Sequence, residues 1–231
     1  MLAVLLLLGC PHAPPPAPLT QETLDLLPDA PLPNKVPAED QVSAIQVSVM
    51  RVDVAAANAG IAQFLVDWPT SPWRDLVEGW GADLATIGQP APPLEVVQWV
   101  GAPGSLSDHP VTMVIFFEPW CPHCQQEMPG LELLRRDYEA RGLGMIGVTA
   151  MTRGATDEQL AAFIEQGFLR FPIGKEDGSM TEAWGVVGVP HAVFVRGGRV
   201  AWSGNPSLLT LDLVDALVDE GPLPLPMPEM P

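Results

Sequence analysis

Residues 111–130 read VTMVIFFEPWCPHCQQEMPG. The first seven form an almost unbroken apolar run, rich in β-branched and aromatic side chains, as expected for a strand buried on both faces. Residues 122–141 then take up a helical pattern, with Pro129 inside it, and Gly142 and Gly144 end it. A doubly buried strand that hands over directly to a helix needs a layered α/β core around it. Cys121 and Cys124 stand at the junction, separated by Pro122 and His123.

The flanking chain supplies that core. Residues 94–100, led in by prolines, read as a strand, and residues 101–108 as turn and loop. Residues 143–149 are a second buried-strand candidate. Thr156 and Gln159 have capping-box spacing and open a helix through Glu165. Residues 171–173 form a short extended piece. Ser179 and Glu182 repeat the capping-box spacing and open a short helix that stops near Gly185. Residues 192–195 and 200–202, joined by Arg196-Gly197-Gly198-Arg199, read as a hairpin, and residues 208–219 as a last helix. The order is strand, strand, helix, strand, helix, short helix, strand, strand, helix. It implies a central mixed β-sheet, parallel in the middle and flanked by helices, with antiparallel strands from the hairpin.

Upstream, Val42, Ile45, Val49, Val52 and Ala56 recur at intervals of three and four and mark one face of a helix, with Asp40 as its N-cap. Val47, Val49 and Val52 alternate loosely enough to suit a strand, but the helical period covers more of the segment. Pro69 and Pro72 end it, and residues 73–80 suit a short second helix. We read residues 38–84 as a mainly helical N-terminal extension that packs on the main domain, residues 85–221.

Composition bounds the partners. At 47% hydrophobic the chain can bury a core. The net charge is −17 and no Lys/Arg run occurs, which argues against binding nucleic acid, or anionic lipid by charge. The 27 prolines crowd the two ends. Residues 10–37 read as an extended proline-rich tether and residues 222–231 as a disordered proline-rich tail. Residues 1–10 are MLAVLLLLGC. Their apolar run is too short to span a bilayer and suits the core of a signal peptide, although no Lys or Arg precedes it. Leu7-Leu8-Gly9-Cys10 resembles a bacterial lipobox, which implies a signal peptide over residues 1–9 and acylation of Cys10.

The chemistry centres on the cysteine pair. The thiolate is the nucleophile, so one sulfur must be stabilised as an anion. Cys121 falls at the start of the 122–141 helix, where unpaired N–H groups and the helix dipole favour negative charge. Pro122 suits the first turn because it lacks a donor that the turn does not need. His123 can add positive charge or a hydrogen bond at the Cys121 sulfur. Cys124, one turn further in, would be more covered and would act second, closing a Cys121–Cys124 disulfide. A zinc site lacks a second pair of cysteines, and haem attachment fails because Gln125 follows Cys124. Neither a metal nor another cofactor is expected.

Residues 116–129, FFEPWCPHCQQEMP, resemble the active site of the thioredoxin superfamily, with Trp120 ahead of the first cysteine. Residues 185–204, GVVGVPHAVFVRGGRVAWSG, resemble the family's second block. The resemblance implies a thioredoxin-like fold over roughly residues 88–221, with Pro190 as a cis-proline facing the disulfide. It leaves the Val189 backbone to pair with an extended substrate, and Trp120 as a flat cover at the rim. Where thioredoxins place a buried Asp, this chain has Ile115. Glu118 is the nearest acid, either a proton acceptor for Cys124 or an exposed acid at a strand end. The proline-led strand pair and the segment from Thr149 to Pro172 resemble the TlpA/ResA-like branch. That branch implies an extracytoplasmic, membrane-tethered thiol–disulfide oxidoreductase acting on exported thiol proteins together with a redox partner. Members are commonly reductants, whereas Pro122-His123 matches the oxidising DsbA-like enzymes. Two rivals are a binding or chaperone module with a redox-sensitive cysteine pair or transient copper site, and a peroxiredoxin-like peroxidase, which the Glu118-Pro119-Trp120 run fits poorly. His109 and His191 read as structural.

Overall fold

The computed structural model describes residues 36–221. Cys10, the proposed signal and almost all of the tether, and the 222–231 tail lie outside the described residues.

Three helices open the described chain: α1 (Ala38–Met50), α2 (Val54–Asp67) and α3 (Arg74–Thr86). Each buries a triplet at helical spacing. The triplets are Val42, Ile45 and Val49, then Ala57, Ile61 and Phe64, then Val77, Trp80 and Leu84. The single helix expected from residue 38 onward is therefore two. The chain breaks at Val52, which takes a left-handed φ of 57°. A β-branched residue is unfavourable there, but the Val52 side chain is buried, and that burial offsets the strain. Asp53 caps α2 by accepting the Ala56 N–H at 3.0 Å. The new helix starts one residue out of register, so Ala57 is buried and Ala56 is exposed. The cap expected at Asp40 is also displaced: α1 starts after Pro37. α3 runs on to Thr86, well past the expected residues 73–80.

The sheet has six strands in the order β1 (Gln98–Val100), β4 (Ile173–Lys175), β3 (Leu143–Thr149), β2 (Val111–Phe116), β5 (His191–Arg196) and β6 (Arg199–Gly204). β2, β3 and β4 run parallel, and β1, β5 and β6 are antiparallel to their neighbours. Every residue of β2 and β3 is buried, which explains their unbroken apolar sequence. The 94–100 strand shrinks to three residues, because its partner β4 is only three residues long. Gly197 and Gly198 both take positive φ, 57° and 74°, as a tight hairpin turn between β5 and β6 requires.

Helices cover both faces. One face packs α4 (Pro122–Tyr138), α5 (Asp157–Gln166), α7 (Leu211–Val218) and the three N-terminal helices into a single core with Met113, Ile115, Leu143 and Phe194. The other face packs Met180 of α6 (Ser179–Ala183) and Trp184, just after it, against Val114, Phe116, Ile146 and Val193. The capping box at Thr156 and Gln159 is present. The one expected at Ser179 is not: the Glu176 carboxylate takes the Gly178 and Met180 N–H groups instead, at 2.6 and 3.1 Å. The last helix is shorter than expected, because Thr210 caps it by accepting the Leu213 N–H.

Candidate active site

The site lies where β2 and β3 end at their carboxyl edge. After β2 the chain makes a tight turn, closed by Cys121 N–H donating to the Glu118 carbonyl at 3.0 Å. Gln125 N–H then donates to the Cys121 carbonyl at 3.1 Å and starts α4. Cys121 is therefore the N-cap residue and Pro122 occupies the first turn, as expected. An N-cap side chain sits where a Ser or Asp oxygen would accept the second- and third-position N–H groups. The position is built for an acceptor or an anion.

The structure holds the pair as two free thiols, the reduced counterpart of the expected disulfide. The Cys121 thiol donates to the Val189 carbonyl at 3.6 Å. Its partner is that backbone oxygen rather than His123, which is exposed on the first turn of α4. Cys124 is fully buried. Burial pushes its thiol pKa well up, and the neighbouring Cys121 and Glu118 charges push the same way, while the Glu118 backbone N–H pulls it down.

Glu118 is only 5% exposed, so it is no surface acid at a strand end. Burial raises its pKa. Hydrogen bonds from Thr152, Ala150 and Thr149 oppose that rise, the Thr152 N–H lying 3.0 Å from Oε2. Trp120, half-buried, donates its indole N–H to the Thr152 hydroxyl at 3.2 Å. The Arg153 guanidinium lies 3.8 Å from the centre of the Trp120 ring. Pro190 is buried behind a cis Val189–Pro190 bond, beside the Cys121 thiol.

Three segments thus converge: residues 118–124, residues 149–153 and Val189-Pro190. The middle one escaped the sequence reading of the site. Its residue types give no signal, but the carboxyl ends of adjacent parallel strands are where open α/β sheets place their sites. His109 lies at the opposite end of β2, packed so closely over Gly144 that a Cβ there would fall 2.2 Å from its ring. His191 is buried next to Pro190, its Nε2 2.9 Å from the Ser203 hydroxyl and 3.6 Å from Asp83 of α3. Among the described residues no group of three His, Cys, Asp or Glu side chains forms a metal-ligand set.

Residues 87–202, half of the chain, match the AhpC/TSA family. The chain belongs to the AhpC/TSA family. The matched span runs from the end of α3 into β6, so it contains the whole of the converging site. Curated relatives narrow the likeness. The chain is 34% identical over 88 residues to the thioredoxin-like protein YneN of Bacillus subtilis, covering 37% of this chain and 51% of that protein. It is 29% identical over 118 residues to the thiol-disulfide oxidoreductase ResA of Bacillus thuringiensis, covering 49% and 66%. The chain spans between half and two thirds of the length of these relatives. Among solved structures, a thioredoxin-like protein in its oxidised form superposes with a TM-score of 0.52 at 19% identity, covering 58% of this chain and 97% of that one. This AhpC/TSA member therefore has the expected thioredoxin-like fold, with three added N-terminal helices among the described residues.

Proposed function

We propose that this protein is a membrane-tethered, extracytoplasmic thiol–disulfide oxidoreductase that acts on cysteines of exported proteins through its Cys-Pro-His-Cys pair. One observation carries the reading: an N-cap cysteine at the head of α4, with a fully buried second cysteine one turn behind it.

The half-reactions follow from that placement. The Cys121 thiolate attacks one sulfur of a substrate disulfide and expels the other as a thiolate, forming a mixed disulfide. Cys124 then loses its proton, attacks the Cys121 sulfur and expels the second substrate thiolate. Two electrons and two protons reach the substrate, and the Cys121–Cys124 disulfide remains. Glu118 takes the Cys124 proton, being the buried carboxylate whose charge acts on that thiol. Val189 and Pro190 form the wall against which the substrate's extended backbone lies, and Trp120 covers the rim. Read backwards, the same steps oxidise a substrate dithiol.

A lipid on Cys10 would hold the protein at a bacterial membrane. Among the described residues no helix is long and apolar enough to cross one. A redox partner protein would reset the pair after each turnover.

Replacing Cys121 with Ala should abolish exchange with a disulfide peptide. Replacing Cys124 with Ser should trap the mixed disulfide at Cys121, visible by mass spectrometry. Exchange by the Cys121→Ala protein at the parent rate would sink the proposal. The reduction potential of the pair sets the direction: about −270 mV marks a reductant and about −120 mV an oxidant.

A further inference from the structure

The turn after β3 contains features that the exchange steps do not use. Met151 and Arg153 both adopt left-handed φ, 53° and 55°, although neither is glycine. A left-handed non-glycine residue is strained and persists only where its surroundings enforce it. Here Thr152, between them, is tied at both ends: its N–H goes to Glu118 and its hydroxyl receives the Trp120 indole N–H. The result of this bracing is the position of one side chain, the Arg153 guanidinium, laid over the Trp120 ring.

Arg74, Arg135, Arg136, Arg141 and Lys175 all pair with carboxylates. Among the described residues none pairs with Arg153. An exposed cation with no carboxylate partner among the described residues, lying over the ring of the residue that precedes Cys121, stands out on a chain of net charge −17. A guanidinium stacked on a ring uses its face for the stack and keeps its edge N–H donors free, and those donors match the two oxygens of a carboxylate.

We propose that Arg153 is a specificity-determining residue, which grips an Asp or Glu side chain next to the reacting cysteine of the protein substrate. The proposal rests on the exchange reading of Cys121. Because Trp120 adjoins Cys121, a carboxylate held over Trp120 lies within a residue or two of the substrate sulfur. Trp120 thereby acts as the platform that orients the guanidinium.

The test uses the reduced full-length protein and three disulfide-bonded peptides that differ only beside one cysteine, which carries Glu, Gln or Lys. Their second-order exchange rates are compared. The Glu peptide should outrun the Lys peptide about ten-fold at low salt, from attraction in one case and repulsion in the other. Raising the salt should shrink the ratio. Arg153→Gln should bring it to within about two-fold, whereas Arg153→Lys, which keeps the charge but loses the flat fork, should retain part of it. Equal rates for Glu and Lys peptides with the parent protein would overturn the assignment. So would an unchanged ratio in Arg153→Gln, including the case where all three peptides slow together, because that outcome marks Arg153 as a brace for Trp120 and nothing more. The salt response of the parent tests the proposal even if the variants fold poorly. If the parent exchanges with none of the peptides, the oxidoreductase reading itself falls, and that result is distinct from exchange without preference.

Discussion

Two acids in this protein, the buried Glu118 and the partly buried Asp83, work against ordinary expectation, and each leads to a measurement. Glu118 is held by Thr152 while burial raises its pKa, so it is protonated at a higher pH than an exposed Glu. If it accepts the Cys124 proton, Glu118→Gln should slow resolution of the mixed disulfide by about ten-fold or more, in line with general-base contributions. The attack by Cys121 should be less affected. Quenched-flow trapping should then show the mixed disulfide accumulating, and unchanged accumulation would remove Glu118 from the proton path. Asp83 and His191 form the second case. Burial pushes Asp83 up to about 6 and His191 down to about 4, so near neutral pH their 3.6 Å contact joins a neutral imidazole to a carboxylate. An acid with a raised folded pKa contributes stability that is present below its unfolded pKa and lost as pH rises through the folded one. For Asp83 that window runs from 3.8 to about 6. His191 has the opposite slope: its contribution is present above 6.5 and lost as pH falls to about 4. Asp83→Asn removes only the first slope. The variant should match the parent near pH 4 and exceed it above pH 6, by at most about 3 kcal/mol. Denaturant titrations at the two pH values check this, and a variant less stable than the parent at pH 7 would show that the anion is stabilised where it sits.

At the scale of elements, α1 and α2 approach closely at Gly60. A Cβ on Gly60 would fall 2.8 Å from Ile45 Cγ1. Gly60→Ala should therefore lower stability by about 1–3 kcal/mol, the usual cost of overpacking, despite the better helix propensity of Ala. A thermal melt should show the drop, and an unchanged midpoint would mean that the helices separate freely. Some elements were plain in the sequence. β2 and β3 declared themselves because burial on both faces leaves no polar alternation to confuse the pattern. The Thr156 cap and the Gly197-Gly198 turn were legible because each is a local rule with local residues. The α1–α2 break was hidden by its own solution: Val52 continues the apolar period of α1 while its backbone turns left-handed. α6 was misread because its cap comes from Glu176, upstream of the Ser179 that fits the motif. In the site, Cys121, Cys124, Trp120 and Pro190 were visible as a pattern of types. Thr152, Arg153 and Asp83 were not, because only the sheet order and the packing of α3 bring them near.

At the scale of the whole molecule, the N-terminal helices and the sheet share one core, so the extension belongs to the fold rather than hanging beside it. Under the proposed function the lipobox-like run at Cys10, outside this core, is the segment that would attach the protein to a membrane. Cys10→Ser should move the protein from the pelleted membrane fraction to the supernatant without altering exchange in solution. A variant that still pelleted would assign the anchor to another segment. The join between extension and sheet has a practical consequence. Gly88, Gln89 and Ala91 form backbone hydrogen bonds along the outer side of β6, and Arg199 bonds the Gly88 carbonyl. A shortened protein that begins at residue 92 would keep both cysteines but expose a six-residue strand with bare N–H and C=O groups, an invitation to stack with other copies. Anyone trimming this chain for crystals, fusions or display should cut before residue 36, because the stretch that resembles a spacer after α3 seals the sheet against its neighbours.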